Sequence, residues 1–344
     1  MDDLEINPRI LSAVKKARLR TFTSILHLSA SDLERHTGLS SSDIKLLLTA
    51  VSKEVYKKSR LTALDLYQGS CPTTAHLLKL RTGCDILDEF LGGGILSQGI
   101  TEVAGESAAG KTQFCMQLCL TAQLPEDSGG LNGGAVYICT EDAFPSKRLQ
   151  QLITVFNKRQ GPIMANKLAV GDHIFVEHVS EMDQLWYCID QRLPLLIAKG
   201  LVKLIVIDSL AALFRSEFDS GEMFSRAKQL QRFGGRLHAL SLKHNIAVVC
   251  VNQVTANMRP SSAPGTSNMI PALGLTWSNF VNTRLMLKRT NYQLAPSRGK
   301  ENNTETVNEQ YMVAVRSMEI VFAPHLPNRL TYYVVDADGV KGLR

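Results

Sequence analysis

The stretch Gly105-Glu106-Ser107-Ala108-Ala109-Gly110-Lys111-Thr112 constrains this chain more than any other, because it matches G-x-x-x-x-G-K-[ST] in the right setting. Ile100-Thr101-Glu102-Val103-Ala104 before it reads as a short strand. Gln113 to Gln123 after it reads as a helix free of Gly and Pro. A strand, a glycine turn and a helix start leave backbone N–H groups unpaired and aimed into one cup, where the helix dipole favours an anion. In that cup Lys111 would reach the β- and γ-phosphates of a nucleotide, and the Thr112 hydroxyl would ligate Mg²⁺. A chance loop of this pattern is expected only about one time in a hundred in a chain of this length. The strand and helix around it lower that further.

Three strand ends complete the chemistry. Leu204-Ile205-Val206-Ile207-Asp208-Ser209 is a branched-aliphatic run ending in a carboxylate, as a fully buried strand would deliver to the edge of a parallel sheet. There Asp208 can hold the Mg²⁺ through water. Glu141 ends the strand Val136-Tyr137-Ile138-Cys139-Thr140 and can orient and deprotonate a water attacking the γ-phosphate. Its neighbour Asp142 is an equally spaced carboxylate that could instead cap the next turn, and spacing does not choose between them. Val248-Val249-Cys250-Val251-Asn252-Gln253 repeats the arrangement with an amide. Gln253 could sense the γ-phosphate, although a lone Gln at a strand end is more often structural. Asn166-Lys167-Leu168-Ala169 lacks the acid of N-K-x-D, which argues against a guanine nucleotide.

The remaining composition excludes more than it assigns. With 44% hydrophobic and 20% charged residues among 344, a sizeable core is expected. No apolar run reaches the length of a membrane span. The acidic start Met1-Asp2-Asp3-Leu4-Glu5 has no signal-peptide core, so secretion is not expected. Seven scattered cysteines form no C-x-x-C pair. Cys115 and Cys119 share a helix face without a partner that would complete a zinc set, so all seven read as small buried hydrophobes. A net charge of +6 permits nucleic acid without arguing for it. Lys15-Lys16-Ala17-Arg18-Leu19-Arg20 reads first as a solvated helix face.

Along the chain, residues 1–58 read as a helical domain. Ile10, Leu11, Val14, Ala17 and Leu19 fit one helix, and Phe22 to Leu28 suggests a second. Ser31 can cap a turn at Asp32-Leu33-Glu34-Arg35, and Ser42 can cap a helix from Asp43 to Lys57. Such a bundle, with Thr37-Gly38-Leu39-Ser40 as its turn, resembles a helix-hairpin-helix module or a purely structural one. Residues 59–80 read as a linker. From 81 to 344 strands and helices alternate, which predicts an α/β core with a mostly parallel sheet covered on both faces. Its expected elements are Ala135–Thr140, Ser146–Asn157, His173–Val179, Asp183–Ala198 (interrupted by Pro194), Lys203–Asp208, Glu222–His244 and Ile246–Asn252. The stretches 255–271 and 291–310 read as mobile. Phe280–Leu287, Tyr311–Phe322 and Leu330–Val335 read as closing antiparallel strands.

Taken together, these pieces resemble the RecA-type recombinases, in the eukaryotic and archaeal branch that carries an N-terminal helical domain. Gly105 to Gln113, Tyr137 to Glu141, Leu204 to Ser209 and Val251-Asn252-Gln253-Val254 match in order and spacing, and the likeness covers nearly the whole chain. Shorter stretches, among them Asn7-Pro8-Arg9-Ile10 and Phe214-Arg215-Ser216-Glu217-Phe218-Asp219-Ser220, are similar to one paralog branch of that family. The resemblance implies a RecA-like P-loop ATPase core and a weak DNA-dependent ATPase. It further implies ATP and Mg²⁺ as cofactors, and homologous-recombination repair of DNA breaks in the nucleus, with a cytoplasmic pool. It carries the phosphate and metal roles to Lys111 and Thr112, the water-activating role to Glu141 and the γ-phosphate link to Gln253. Arg148 falls where the family packs an arginine on adenine. The segments 214–223 and 254–278 correspond to its two DNA-facing loops, and Ala323 to Pro327 to the segment that covers a neighbour's ATP.

Departures from the family pattern are equally informative. Segment 214–223 sets Arg215 against Glu217, Asp219 and Glu222, a formal −2 facing a polyanion. Arg259 is the one cation of the second segment. Ala63 aligns with the linker alanine of filament formers, but Arg60 stands near the position of their phenylalanine. Asn279 replaces a histidine. The implied partners are therefore another recombinase paralog, the one designated "C", single-stranded or branched DNA, and the strand-exchange filament of a separate recombinase. The competing expectations are an autonomous DNA-dependent ATPase that builds its own filament, and a P-loop protein of unrelated function.

Overall fold

The computed structural model describes residues 4, 6–55, 62–68, 77–160, 170–216, 218, 221–256, 269–295 and 312–344. The chain divides into two compact units, Met1–His76 and Leu77–Arg344.

The first unit is helical, with α1 (Pro8–Lys16), α2 (Phe22–Leu26), α3 (Ala30–Thr37), α4 (Ser41–Val55) and α5 (Ala63–Tyr67). Ile10, Val14, Ile25, Leu33, Ile44, Leu47 and Val51 meet in its core. The serine caps sit earlier than expected. Ser29, not Ser31, accepts from the Asp32 N–H, and Ser40, not Ser42, accepts from the Asp43 N–H. In each case the cap must precede the first helical turn so that its oxygen can reach the N3 donor. Gly38 closes α3 at φ 66°, a conformation that costs a side-chain-bearing residue more. The stretch expected to be an irregular linker contains α5, whose first turn is tied by Thr62 and Asp65 through reciprocal hydrogen bonds. Arg60 and Cys71 lie outside the described residues.

The second unit opens with β1 (Lys79–Leu80), α6 (Asp85–Phe90) and β2 (Ile95–Leu96). The central elements follow as β3 (Ile100–Gly105), α7 (Lys111–Thr121), β4 (Gly134–Cys139), α8 (Ser146–Gln160), β5 (Ile174–His178), α9 (Met182–Tyr187) and α10 (Leu193–Ala198). Next come β6 (Val202–Asp208), α11 (Leu210–Ser216), α12 (Met223–His244), β7 (Ala247–Asn252), β8 (Val254–Ala256), β9 (Met269–Pro271) and α13 (Gly274–Ser278). β10 (Val281–Leu294), β11 (Val313–Phe322), β12 (Leu330–Asp336) and β13 (Gly339–Leu343) close the chain. A nine-stranded sheet runs β13-β12-β11-β10-β3-β7-β6-β4-β5. α7 and α8 bury their apolar residues on one face, and α9 to α13 on the other. β3 and β7 are buried along their entire length; β7 accordingly reads as a nearly continuous apolar run, whereas β3 carries Thr101 and Glu102 into the interior.

Several expectations change. β10 is not wholly antiparallel: Val281 to Leu287 pair parallel with β3, while the strand's other edge pairs antiparallel with β11. Its buried first half and exposed second half reflect that double role. Pro194 does not interrupt a helix. It sits in the first turn of α10, where its missing N–H is harmless, and the break is a π turn over Cys188–Arg192 before it. The flanks of the stretches expected to be mobile are ordered. Val254–Ala256 pairs with Met269–Pro271, and β10 extends to Leu294. Residues 257–268 and 296–311 lie outside the described residues.

A buried charge joins the centre of this sheet to its last helix. Glu102 of β3 is fully buried and accepts from Asn252 Nδ2 (2.6 Å), Trp277 Nε1 (3.0 Å) and the Arg284 guanidinium. A carboxylate out of water persists when it is paired and its lone pairs are taken. Here β7, α13 and β10 each supply a donor.

Candidate functional site

The turn between β3 and α7 forms the floor of a cleft of about 750 Å³. Gly110 adopts φ 97°, and a Cβ there would meet Val335 Cγ2 at 3.0 Å. A Cβ at Gly105 would come within 2.2 Å of the Leu287 carbonyl oxygen. Both glycines are thus required by the close approach of β12 and β10, quite apart from any ligand. Within the cup, Lys111 Nζ donates to the Gly105 (2.8 Å) and Glu106 (2.7 Å) carbonyls. Burial pushes its pKa below the usual lysine value, against the pull of Asp208, Cys115, Glu141 and Glu106. The hydrogen bonds of this ammonium go to neutral carbonyls, and a phosphate oxygen could replace them.

Thr112 Oγ1 donates to Asp208 Oδ2 at 2.7 Å, so the first turn of α7 and the end of β6 meet as the sequence pattern requires. The Tyr137 hydroxyl donates to the same oxygen at 2.6 Å, and burial holds that phenol well above the ordinary tyrosine range. Among the described residues no cluster of three or more His, Cys, Asp or Glu surrounds this pair. A cation here would draw its remaining ligands from phosphate and water. That donor set fits Mg²⁺, which keeps several waters and takes one or two protein oxygens beside phosphates.

Glu141 reaches the cleft from the end of β4. Its Oε1 accepts from Gln253 Nε2 at 2.5 Å and lies 3.7 Å from the Arg215 guanidinium, while Ser209 Oγ donates to Oε2 at 3.3 Å. Asp142 also lines the cleft. The Asp208–Ser209 peptide between these groups is cis. Arg148 lies on the cleft wall, where Nε donates to Gln113 Oε1 (2.8 Å) and the terminal nitrogens donate to the Asp336 (2.5 Å) and Ala337 (2.9 Å) carbonyls. Of the residues expected to hold the nucleotide and its cation (Gly105 to Gln113, Glu141, Arg148, Asp208 and Gln253), all but Ala109 line this one cleft, and Ala109 is fully buried.

Sequence reasoning missed Tyr137, Ser209 and Arg316 as site residues. Tyr137 was visible only as one aromatic in an apolar strand. Arg316 lies on β11, far along the chain, and donates to the Ala108 carbonyl at 3.1 Å. No local pattern marks it. Nor did the sequence foretell Arg226, which donates to the Phe214 and Ala272 carbonyls at 3.1 and 3.3 Å and so ties the start of segment 214–223 to a residue within segment 254–278. Arg259, Glu217 and Asp219 lie outside the described residues, as does Asn166-Lys167-Leu168-Ala169.

A glycine cup after a buried parallel strand, with a strand-end carboxylate turned onto its threonine, defines a RecA-like P-loop core. The chain belongs to the Rad51 family: residues 73–298 match the family model described as Rad51. Residues 1–55 match the model described as XRCC3/RpoA-like, helix-hairpin-helix domain. Over its whole length the chain is 43% identical to the DNA repair protein XRCC3 of Bos taurus and 41% identical to that of Mus musculus. Both alignments cover 100% of this chain and 98% of the relative. It is 30% identical to the DNA repair and recombination protein RadA of Aeropyrum pernix, over 98% of this chain and 94% of that one.

Proposed function

We propose that this chain is an ATP- and Mg²⁺-binding recombinase paralog that acts in the nucleus in homologous-recombination repair of DNA breaks. It pairs with another paralog, by resemblance the one designated "C", to bind single-stranded or branched DNA and to promote or stabilise the filament of a separate recombinase. What carries this reading is the convergence of Lys111, Thr112, Asp208, Glu141 and Gln253 on one cleft.

In this reading, backbone N–H groups from Glu106 to Lys111 cradle the phosphates and Lys111 exchanges its carbonyl contacts for phosphate oxygens. Thr112 Oγ1 and Asp208 would hold the cation, which would supply charge neutralisation on the phosphates. Glu141 takes the proton of the attacking water, with Gln253 fixing the orientation of its carboxylate. Arg148, already planar against Gln113 and the 336–337 carbonyls, offers a face for the adenine ring. Segment 214–223 supports an assisting role over an autonomous one. It carries one cation, Arg215, and that side chain faces Glu141 at 3.7 Å. Hydrolysis would then time partner exchange.

The test is the mass distribution of the purified chain with Mg-ATP and single-stranded DNA, alone and with candidate paralogs. A small particle that becomes a defined complex only with a paralog is expected. Long assemblies from the chain alone would establish the autonomous filament instead.

A further inference from the structure

Asp208 carries two donors on one oxygen. Tyr137 gives its hydroxyl proton to Asp208 Oδ2 at 2.6 Å, and Thr112 gives its own to the same atom at 2.7 Å. A hydroxyl has one proton and two lone pairs. With its proton committed to Asp208, Thr112 keeps both lone pairs for a cation. The second carboxylate oxygen, Oδ1, accepts no hydrogen bond among the described residues. Among the described residues one oxygen therefore has two donors and the other has none.

Tyr137 itself has little freedom to move. It is 1% exposed, and Phe144 packs edge-on to its ring at a centroid distance of 5.0 Å. Its backbone lies between two parallel neighbours, opposite Val176 on β5 and Val206 on β6, two residues before Asp208. It does not line the main cleft. It lines a smaller cavity of about 280 Å³, which shares Thr112, Glu141 and Asp208 with the main cleft. A buried phenol needs an acceptor of some kind. Tyr137 takes the carboxylate oxygen already used by Thr112, so two hydroxyls hold Asp208 at the same atom.

We propose that Tyr137 is a positioning residue for the divalent cation: through Asp208 Oδ2 it fixes which carboxylate oxygen is presented to the metal beside Thr112. This deepens the nucleotide reading above and rests on it. Groups that orient metal-binding side chains without touching the metal typically change metal affinity ten- to a hundredfold when removed.

The experiment titrates MgCl₂ into the full-length chain with a fluorescent, non-hydrolysable ATP analogue, for the wild type, Tyr137→Phe and Phe144→Leu. Tyr137→Phe is expected to raise the Mg²⁺ midpoint at least about tenfold, while analogue affinity at saturating Mg²⁺ returns to the wild-type value. Phe144→Leu keeps the hydroxyl but frees the ring, and should raise the midpoint by a smaller factor. An unchanged midpoint in Tyr137→Phe overturns the inference and leaves the nucleotide reading standing. Affinity that stays low at saturating Mg²⁺ marks a merely structural role and overturns it equally. If the wild type binds no analogue at any Mg²⁺ concentration, the nucleotide reading falls and this inference falls with it.

Discussion

Gln253 Nε2 donates to Glu141 Oε1 at 2.5 Å, joining the ends of two strands that the sheet order separates by β6. Arg215 approaches the same carboxylate oxygen. The residues at or near the starts of the two segments flanking the cleft thus converge on one acid. Glu141→Gln is expected to retain nucleotide binding and to slow turnover by roughly a hundredfold or more, the usual worth of a positioned proton acceptor. Single-turnover phosphate release measures it. A wild-type rate would remove Glu141 from the water-activating role and leave Asp142 as the carboxylate to test.

Lys111→Ala should abolish nucleotide binding without unfolding the chain. The ammonium is held by two carbonyls of its own loop in the lining of the cleft, where water can take its place after its removal. Equilibrium binding of a labelled nucleotide, alongside a thermal melt, separates the two effects. Retained affinity would mean that the loop binds no phosphate.

Glu102→Ala tests the core and not the cleft. It would strand the Arg284 guanidinium, the Trp277 N–H and the Asn252 amide in a dry interior. Removing one member of such a buried pair costs about 3–5 kcal/mol. A shift in the denaturant midpoint of the full chain reads this directly. A loss below about 1 kcal/mol would indicate that the site stays wet enough for water to replace the carboxylate.

His244, in the last turn of α12, has a pKa lowered by burial and then by Lys243, Lys203 and Arg236. Its folded value lies below 6.5, so between the two the unfolded chain holds more protons. The contribution of this group to stability is full above pH 6.5 and is lost as pH falls through the folded value. Lys203→Gln should move the imidazole back toward 6.5 and weaken that acid sensitivity, as followed by NMR titration and by melting at each pH. An unmoved imidazole titration would exclude Lys203 as a cause.

Cys115, Cys119 and Cys250 are buried thiols with pKa values pushed up by burial, and Cys188 is raised to about 11. The thiolate is the reactive form. All four should resist alkylation at pH 8 in the native chain and react after denaturation, as resolved by peptide mass spectrometry. Rapid native labelling of Cys115 would show that α7 opens beside the phosphate cup.

The sequence by itself determined the phosphate cup, its flanking strand and helix, the carboxylate at the end of β6, and the alternation that makes a covered parallel sheet. Those features are local: glycine spacing, a branched-aliphatic run and a helix start are all written within a few residues of one another. It also marked Glu141 and Gln253 as strand ends. Only the tertiary structure decided that they touch, because their contact depends on the strand order β7-β6-β4, which no local pattern encodes. The same holds for Arg316 beneath Ala108 and for Arg226 between Phe214 and Ala272, each joined to its partner by long-range packing. β10 is a related case, antiparallel to β11 as its place among the closing strands suggests but parallel to β3 on its other edge. Its direction against β3 is set by the path of the chain through β8, β9 and α13, whereas its composition matches either direction. Tyr137 shows the limit most clearly. As a residue it is one aromatic in an apolar strand, and its hydroxyl gains a role only because β6 brings Asp208 to within 2.6 Å of it.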